Sequence, residues 1–458
     1  MSLENRKDEV TQFHLKSVVL SRDDNNLSID VTNCVTDFEI FENITNPYLT
    51  ANLIFVDFQS VVQDYNFNGS EKVTIRFKHP ANTSYDIIRI FYIDTIIRSE
   101  KATETVEQFV FHLVEDTDFE SNLLNVNKSY TGKPSEIIKK IISEFIPKCK
   151  FTPFIDTKLE KESTTTIKVI VPNKDPMEAI SWISLKSRTI NGMPYFLYTT
   201  LGGGKRVYYT DLESLMKQTQ LNLKNPYRYW QSGTHTDTPT ANISSNDMQI
   251  INVNSKFSED LYSKIKMGMV GSTHGYYDIS NGQEIRVDFN INEVMDKLVQ
   301  SGSITKKQKK YFYPEFAKFE NEHYANFKSQ KIFLKPSNRP YETGYSSVSS
   351  YMDEIEDGSY RNLVVGKSML SYLEKNQIQI TVPGRPYILG DANYTIGRLI
   401  EVHFMANREQ RADNSNVNNG IDTKKSGLYL ITATVHMFRV ENYYIKMNLC
   451  KVKDIDDV

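Results

Sequence analysis

Residues 428–438 read LYLITATVHMF and residues 443–451 read YYIKMNLCK, two runs rich in β-branched and aromatic residues separated by a four-residue break. Successive strand residues point to opposite faces, so a half-buried strand alternates apolar and polar positions. Tyr429, Ile431, Ala433, Val435 and Met437 share one face of the first run, and Tyr443, Ile445, Met447 and Leu449 share one face of the second. The pair reads as a long antiparallel arm, apolar on one side and mixed on the other, as a curled sheet requires. Two shorter strands precede it, over 377–382 and over 399–404, where Ile400, Val402 and Phe404 oppose Glu401 and His403.

The same order of lengths stands near the other end of the chain. A short strand over 51–58 is followed by one over 73–77, with Val73, Ile75 and Phe77 on one face and Thr74, Arg76 and Lys78 on the other. A long arm over 87–97 and 106–114 then sets Ile88, Ile90, Tyr92 and Ile96 against Phe109, Phe111 and Leu113. Few residues coincide between the two copies, so the repeat is one of pattern. A chain that builds one β-unit twice, around a large insertion, is expected to scaffold rather than to catalyse.

Between the copies the period changes. Ile137, Ile138, Ile141, Ile142 and Phe145 fall on one face of a helix that Pro134 opens and Pro147 closes. Asp175, Pro176 and Glu178 supply a cap, a first-turn proline and a capping-box acid for a second helix carrying Met177, Ile180 and Ile183. Strands over 195–200 and 205–209, joined by Leu201, Gly202, Gly203 and Gly204, predict a hairpin whose turn needs positive φ. Farther on, Tyr227, Tyr229 and Trp230 give a short strand, Val294, Met295, Leu298 and Val299 a short helix, and 363–373 a helix running into the strand at Gln377. The polar stretches 337–357 and 405–427 read as loops, the second an exposed contact arm bearing Arg408, Glu409, Arg411 and Asn414.

The 458 residues suffice for about three or four domains at roughly 100–200 residues each. A net charge of −3 argues against a surface built to cover nucleic acid or anionic membrane. Cys34, Cys149 and Cys450 fall in no metal or redox spacing and read as reduced structural thiols, which points to synthesis in a cytoplasm. No apolar run reaches the roughly 18 residues of a membrane span, and residues 1–10 are polar, unlike a signal peptide. The 27 Tyr and 24 Phe against 2 Trp favour strands and broad contact surfaces.

The order of parts resembles the central hub protein of contractile phage baseplates and the hub part of type VI secretion spike proteins. The residues carrying the resemblance are the helix opening Pro134 to Ile138, the segment from Asp175 to Asp211 with its hairpin ending Val207, Tyr208, Tyr209, Thr210 and Asp211, and the set Val382, Pro383, Gly384, Gly390, Asp391, Ile396 and Gly397. That last set is similar to the loop and strand that open the family's final barrel, which makes Pro383, Gly384, Gly390, Asp391 and Gly397 structural turns. The resemblance covers most of the chain. It implies an α+β, mainly β protein in which two tube-type antiparallel β-barrels, 1–122 and 366–458, flank an α/β middle. The middle comprises a helix-helix-hairpin domain, 123–215, and a peripheral domain, 216–365, whose strand near 225–232 joins the second barrel.

Function follows by the same resemblance. Such hubs are homotrimers whose six barrels alternate around a ring, adapting a threefold central spike to a sixfold tail tube. The implied partners are the spike, the tube protein and other baseplate proteins, with transient passage of genomic DNA, no membrane insertion, no cofactor and residence in the virion tail. Because only seven residues follow Lys451, the spike itself is expected on a separate chain.

The residues offer little chemistry. Leu201 to Lys205 lacks the glycine spacing of a phosphate loop and is followed by a strand. His112 and His436 sit on long-arm strands without a second ligand two or four positions away, and read as solvated or core-edge histidines. Asp353, Glu354, Glu356 and Asp357 form an acidic cluster in a polar loop, and Lys306, Lys307, Lys309 and Lys310 before Tyr311, Phe312 and Tyr313 form a basic-aromatic run. Two other classes stay open: a β-rich receptor- or glycan-binding tail protein, and a glycan hydrolase using paired carboxylates.

Overall fold

A computed structural model of the chain describes residues 12–22, 27–58, 60–64, 67, 69–78, 86–104, 106–153, 167–189, 191–221, 226–229, 248–257, 261–278, 283–302, 304–312, 318–335, 359–373, 376–384, 395–404, 421–422, 425–439 and 442–454. The N-terminal part holds β1 (His14–Arg22), β2 (Leu27–Asp30), β3 (Val35–Asn43), β4 (Thr50–Asp57), the single helical turn α1 (Val61–Asp64), β5 (Lys72–Lys78), β6 (Ile87–Lys101) and β7 (Glu107–Glu115). There follow α2 (Asp116–Asn122), β8 (Ser129–Gly132), α3 (Pro134–Phe145), β9 (Lys150–Pro153), β10 (Ile167–Ile170), α4 (Pro176–Ser184), β11 (Tyr195–Tyr198), β12 (Arg206–Asp211) and α5 (Leu212–Lys217). Next come β13 (Tyr227–Tyr229), β14 (Asn252–Phe257), α6 (Leu261–Lys266), β15 (Gly271–Asp278), β16 (Gln283–Asn290), α7 (Ile291–Gln300), α8 (Lys306–Phe312), β17 (Lys318–Phe319), β18 (Glu322–His323), β19 (Ser329–Lys335) and α9 (Ser359–Leu373). The chain closes with β20 (Asn376–Pro383), β21 (Leu399–Phe404), β22 (Gly427–Arg439) and β23 (Asn442–Asp454).

The protein is mainly β. Thirteen strands form one sheet in the order β14, β20, β23, β22, β3, β4, β7, β6, β5, β1, β2, with β21 beside the inner end of β22, on the edge that β3 takes farther out, and β13 on β21. The series β3, β4, β7, β6, β5 and the series β14, β20, β23, β22, β21 are both antiparallel throughout and match place for place. The expectation is two tube-type antiparallel β-barrels; the ladders run through both sets as one sheet, and among the described residues no ladder closes either set on itself. The reason is β22, whose outer half pairs with β3, Ala433 opposite Asn43 through Arg439 opposite Asp37. The second set does turn back on itself through an isolated contact, Arg228, bridged to Gln249, accepting from Ile250 N (2.9 Å), whereas Val31 N donating to Val18 O (2.9 Å) extends the β1–β2 hairpin by one rung.

Burial corrects two faces read from the sequence. In β6 the inward residues are Ile87, Arg89, Phe91 and Ile93, whereas Ile88 is 51% exposed. An arginine can occupy an inward position when its charge is paired, and Arg89 is. In β22, Tyr429 and Ile431 point inward as expected, but the ladder slips at Thr432, and beyond this bulge Thr434, His436 and Phe438 are buried in place of Ala433, Val435 and Met437. One extra residue in a strand exchanges its faces. The inward sets of β5, β7, β21 and β23 match the alternation.

The middle of the chain has a core of its own. Ile137, Ile138, Ile141 and Ile142 of α3 pack with Met177, Ile180 and Ile183 of α4 and with Tyr195, Leu197, Val207 and Tyr209 of β11 and β12. Asp175 caps α4 by accepting from Glu178 N at 2.8 Å. The opposite face of the hairpin, with Phe196, Tyr198 and Tyr208, belongs to the core of the large sheet. A strand pair buried on both sides is a wall shared by two cores.

Candidate functional site at the joint between the two strand sets

The joint is built around an acid on an apolar face. Phe38, Ile40 and Glu42 share the inward side of β3, and Glu42 is only 2% exposed. Its carboxylate accepts from Leu201 N, Thr395 Oγ1 and Thr434 Oγ1 (2.7 Å for the last), and His436 Nε2 lies 3.2 Å away. Nδ1 of His436 is 2.7 Å from the Tyr443 hydroxyl. Burial would raise the Glu42 carboxyl, but the facing His436 and the hydrogen bonds from His436, Thr395 and Leu201 outweigh it and hold the carboxyl below its usual range. A buried charge is tolerable only when so satisfied. The cluster thus ties β3 to β22, β23, the segment before β21 and the hairpin turn in the middle of the chain.

Around it the packing is aromatic. Phe438, near the tip of the arm, stacks on Phe38 at 4.3 Å and on Tyr443 at 4.3 Å, and meets Phe77 (4.7 Å) and Phe13 (5.0 Å) edge-on. Phe438 and Tyr443 of the C-terminal arm therefore sit in the core of the N-terminal strands, and Gln12 bridges to Asn442 beside them. Arg439 pairs with Glu39 at 3.0 Å on the rim.

A second grip holds the hairpin turn. Arg89 donates to Thr200 O (2.6 Å), to Leu201 O and to Glu115 (3.2 Å), while Glu115 accepts from Leu49 N at 3.0 Å. Leu201 is held through its N–H by Glu42 and through its carbonyl by Arg89. The Leu201 to Lys205 run is a docking turn rather than a phosphate loop; Gly204 carries the positive φ, +67°, that the hairpin demands.

No protein-family model matches the sequence, and no curated protein matches it. The structure is similar to the 43 kDa tail protein of prophage MuSo2 from Shewanella oneidensis, with a TM-score of 0.51 and 10% identity over 95% of this chain and 98% of that one. The fold is that of a prophage tail protein. A tail protein from Neisseria meningitidis MC58 aligns at a TM-score of 0.48 and 10% identity over 96% of this chain and 97% of that one. A chain of the Francisella PdpA-VgrG complex aligns at 0.44 and 10% identity over 99% of this chain and 54% of that one.

The residues predicted as turns meet the joint from its other side. Pro383 ends β20, and Gly384 N donates to Tyr443 O at 3.0 Å; a Cβ on Gly384 would lie 2.2 Å from the Tyr443 ring. Gly397, at φ +75°, donates to Ile431 O (3.0 Å), and a Cβ there would lie 2.5 Å from the Tyr198 hydroxyl. Both glycines are required by close approach, and both flank strands of the joint. Gly390 and Asp391, the contact-arm residues Arg408, Glu409, Arg411 and Asn414, and the acids Asp353, Glu354, Glu356 and Asp357 lie outside the described residues. Of the basic run, Lys309 in α8 is paired with Asp296 at 2.5 Å, and Tyr313 lies outside the described residues.

His112 and His436 are not equivalent. His112 lies on β7, half-exposed and 3.0 Å from Asp94, whereas His436 lies on β22, 1% exposed, inside the joint. The sequence reading of both as solvated or core-edge fails for His436, because the bulge at Thr432 turns it inward. The residues that reading missed, Glu42, Arg89 and Glu115, carry one visible signal: each is a charge at an inward position of an otherwise apolar strand face. Among the described residues no cluster of three His, Cys, Asp or Glu could hold a metal ion. The three cysteines are buried free thiols, and burial pushes Cys149 up to about 12, far from the thiolate a nucleophile needs.

Proposed function

We propose that this chain is a structural, non-enzymatic hub protein of a contractile-tail baseplate, three copies closing a ring that adapts a threefold spike to a sixfold tube. The observation that carries the reading is the matched strand order of the two terminal sets, joined edge to edge inside one chain. Six similar units around a ring need only three such chains, and a chain that already joins its two units has made half of the joints. In this reading residues 1–122 and 366–458 are the ring-building barrels, with β13 and its bridge to Gln249 completing the second; 123–215 and 216–365 decorate the outside. The turning back of the second set through Ile250 supports a barrel there. The partners are the spike, the tube and neighbouring baseplate proteins, the loop 405–427 contacting spike or tube, and DNA passes without specific binding. The assembled location is the virion tail, after synthesis in the host cytoplasm.

The test is the mass of the purified protein by light scattering, alone and with a co-expressed spike chain. The expected value is three times 52.9 kDa, or that plus a spike trimer. A monomer in both preparations removes the ring.

A further inference from the structure

The two long arms share a landmark. In β6 the ladder to β7 slips between Ile93 and Thr95, opposite Leu113 and His112; in β22 the ladder to β23 slips between Ile431 and Ala433, opposite Leu449 and Asn448. Leu113 and Leu449 are in turn opposite Ala51 of β4 and Ile378 of β20, strands at the same place in the two series. The bulges therefore align the two arms residue by residue.

Beyond the bulge the arms differ. The outer half of β22 pairs with β3. The outer half of β6, Asp94 to Lys101, pairs with β7 on one side only among the described residues, since the ladder to β5 ends at Tyr92. All eight of its residues are exposed, including Ile96 at 46% and Ile97 at 58%. The place that β3 holds beside β4 is held beside β20 by β14, whose other edge carries no ladder among the described residues. Ile251 just before it is 52% exposed, and Asn252, Asn254 and Ser255 are exposed. Among the described residues, one chain thus presents a donor arm without an acceptor ladder and an acceptor edge without a donor ladder.

We infer that the outer half of β6 in one copy adds antiparallel to β14 of a second copy, repeating between chains the joint that β22 makes with β3 within one. The number of copies rests on the ring reading above; the choice of edges does not. The donor and acceptor surfaces are different, so the contact is heterologous and leads from copy to copy, and the ring reading supplies the rotation that closes it. Arg98, Glu100 and Lys101 on the arm discourage indiscriminate edge pairing, while Ile96 and Ile97 gain burial in the intended joint. Counting the second slip of β6 at Ile97, the intrachain pair His436 opposite Ile40 corresponds to Ser99 of one copy opposite Ser255 of the next.

Directly opposed residues of an antiparallel pair have Cα atoms about 4.5–5.5 Å apart, within the span a disulfide bridges. The full-length Ser99→Cys, Ser255→Cys double variant, oxidised and run on a non-reducing gel, is expected to give covalent dimers and trimers that reductant dissolves. Each single variant stays uncrosslinked, because neither cysteine meets its own copy and the three native thiols are buried. An equimolar mixture of the two single variants gives dimers. An assembly that light scattering finds oligomeric, but that does not crosslink, overturns this joint and leaves the ring to another edge. A monomeric, uncrosslinked double variant removes both, and crosslinking of Ser99→Cys alone overturns the heterologous joint in favour of arm against arm.

Discussion

Glu42 concentrates at one carboxylate what holds the two ends of the chain together. Replacing it with alanine strands the N–H of Leu201, the hydroxyls of Thr395 and Thr434 and the ring of His436 in a buried site, a change that costs about 3–5 kcal/mol. Chemical denaturation at pH 7 measures it. Glu42→Gln keeps the shape and removes the charge, and its deficit depends on pH. A carboxyl held low in the fold contributes stability that is present above its unfolded value and lost as pH falls through the folded one, so wild type and Glu42→Gln converge only once the pH has dropped below the lowered folded value. Asp118 of α2 has the opposite sign. Burial first and Asp175 second raise it to about 6, so its folded form binds a proton more tightly than its unfolded form does. Its ionisation costs stability as pH climbs from about 4 to 6 and the cost persists above; Asp118→Asn should therefore gain about 1–2 kcal/mol at pH 7, after allowing for solvent screening, and nothing near pH 4. Melting temperatures at the two pH values decide, and an equal gain at both would show that the charge of Asp118 is not the cause.

At the level of elements, the strands whose inward residues are all apolar were legible from alternation, as were the helices whose ends carry proline and a capping acid. β5, β7, β21 and β23 needed nothing beyond the period of two, and α3 and α4 nothing beyond Pro134, Asp175 and their isoleucines. What was not legible has a common cause: register. A bulge leaves no compositional mark, so the flip at Thr432 hid His436 and Phe438, and Arg89 on an inward face shifted the apparent apolar side of β6 by one residue. In β3 the inward charge of Glu42 interrupts the apolar face, so alternation does not reveal that strand, and the same charge fastens the joint. Phe438 tests the corrected register. Buried among Phe13, Phe38, Phe77 and Tyr443, its replacement by alanine should cost about 3–5 kcal/mol, whereas Met437→Ala, on the half-buried face, should cost about 1 kcal/mol or less. Denaturant midpoints of the two variants give the ranking, and the reverse order would restore the unbulged strand.

Across the whole molecule, the question is whether a chain with two cores behaves as one body. The core of the large sheet contains both strand sets, since Phe38 and Phe438 stack within it, so the two ends cannot unfold separately without exposing that stack. The helical core is distinct, but the β11 and β12 hairpin lies between the cores with Tyr195, Leu197, Val207 and Tyr209 facing one and Phe196, Tyr198 and Tyr208 facing the other. Arg89 and Glu42 clamp the turn of that hairpin at Leu201. Melting either core removes one side of the wall, and the wall is all backbone ladder and aromatic burial, so the remaining core loses its own boundary. The transitions should therefore coincide. Trp182 packs against the helical core and, in a Trp230→Phe background, is the sole tryptophan reporter, while far-UV circular dichroism follows the strands. Superimposable urea curves from the two probes are expected for the parent protein. Arg89→Met, which leaves Glu115 buried without its partner and frees the carbonyls of Thr200 and Leu201, should move the tryptophan curve to lower urea than the dichroism curve. Curves already separated in the parent would mean that the hairpin does not couple the cores, and the middle of the chain would then be a passenger on the sheet.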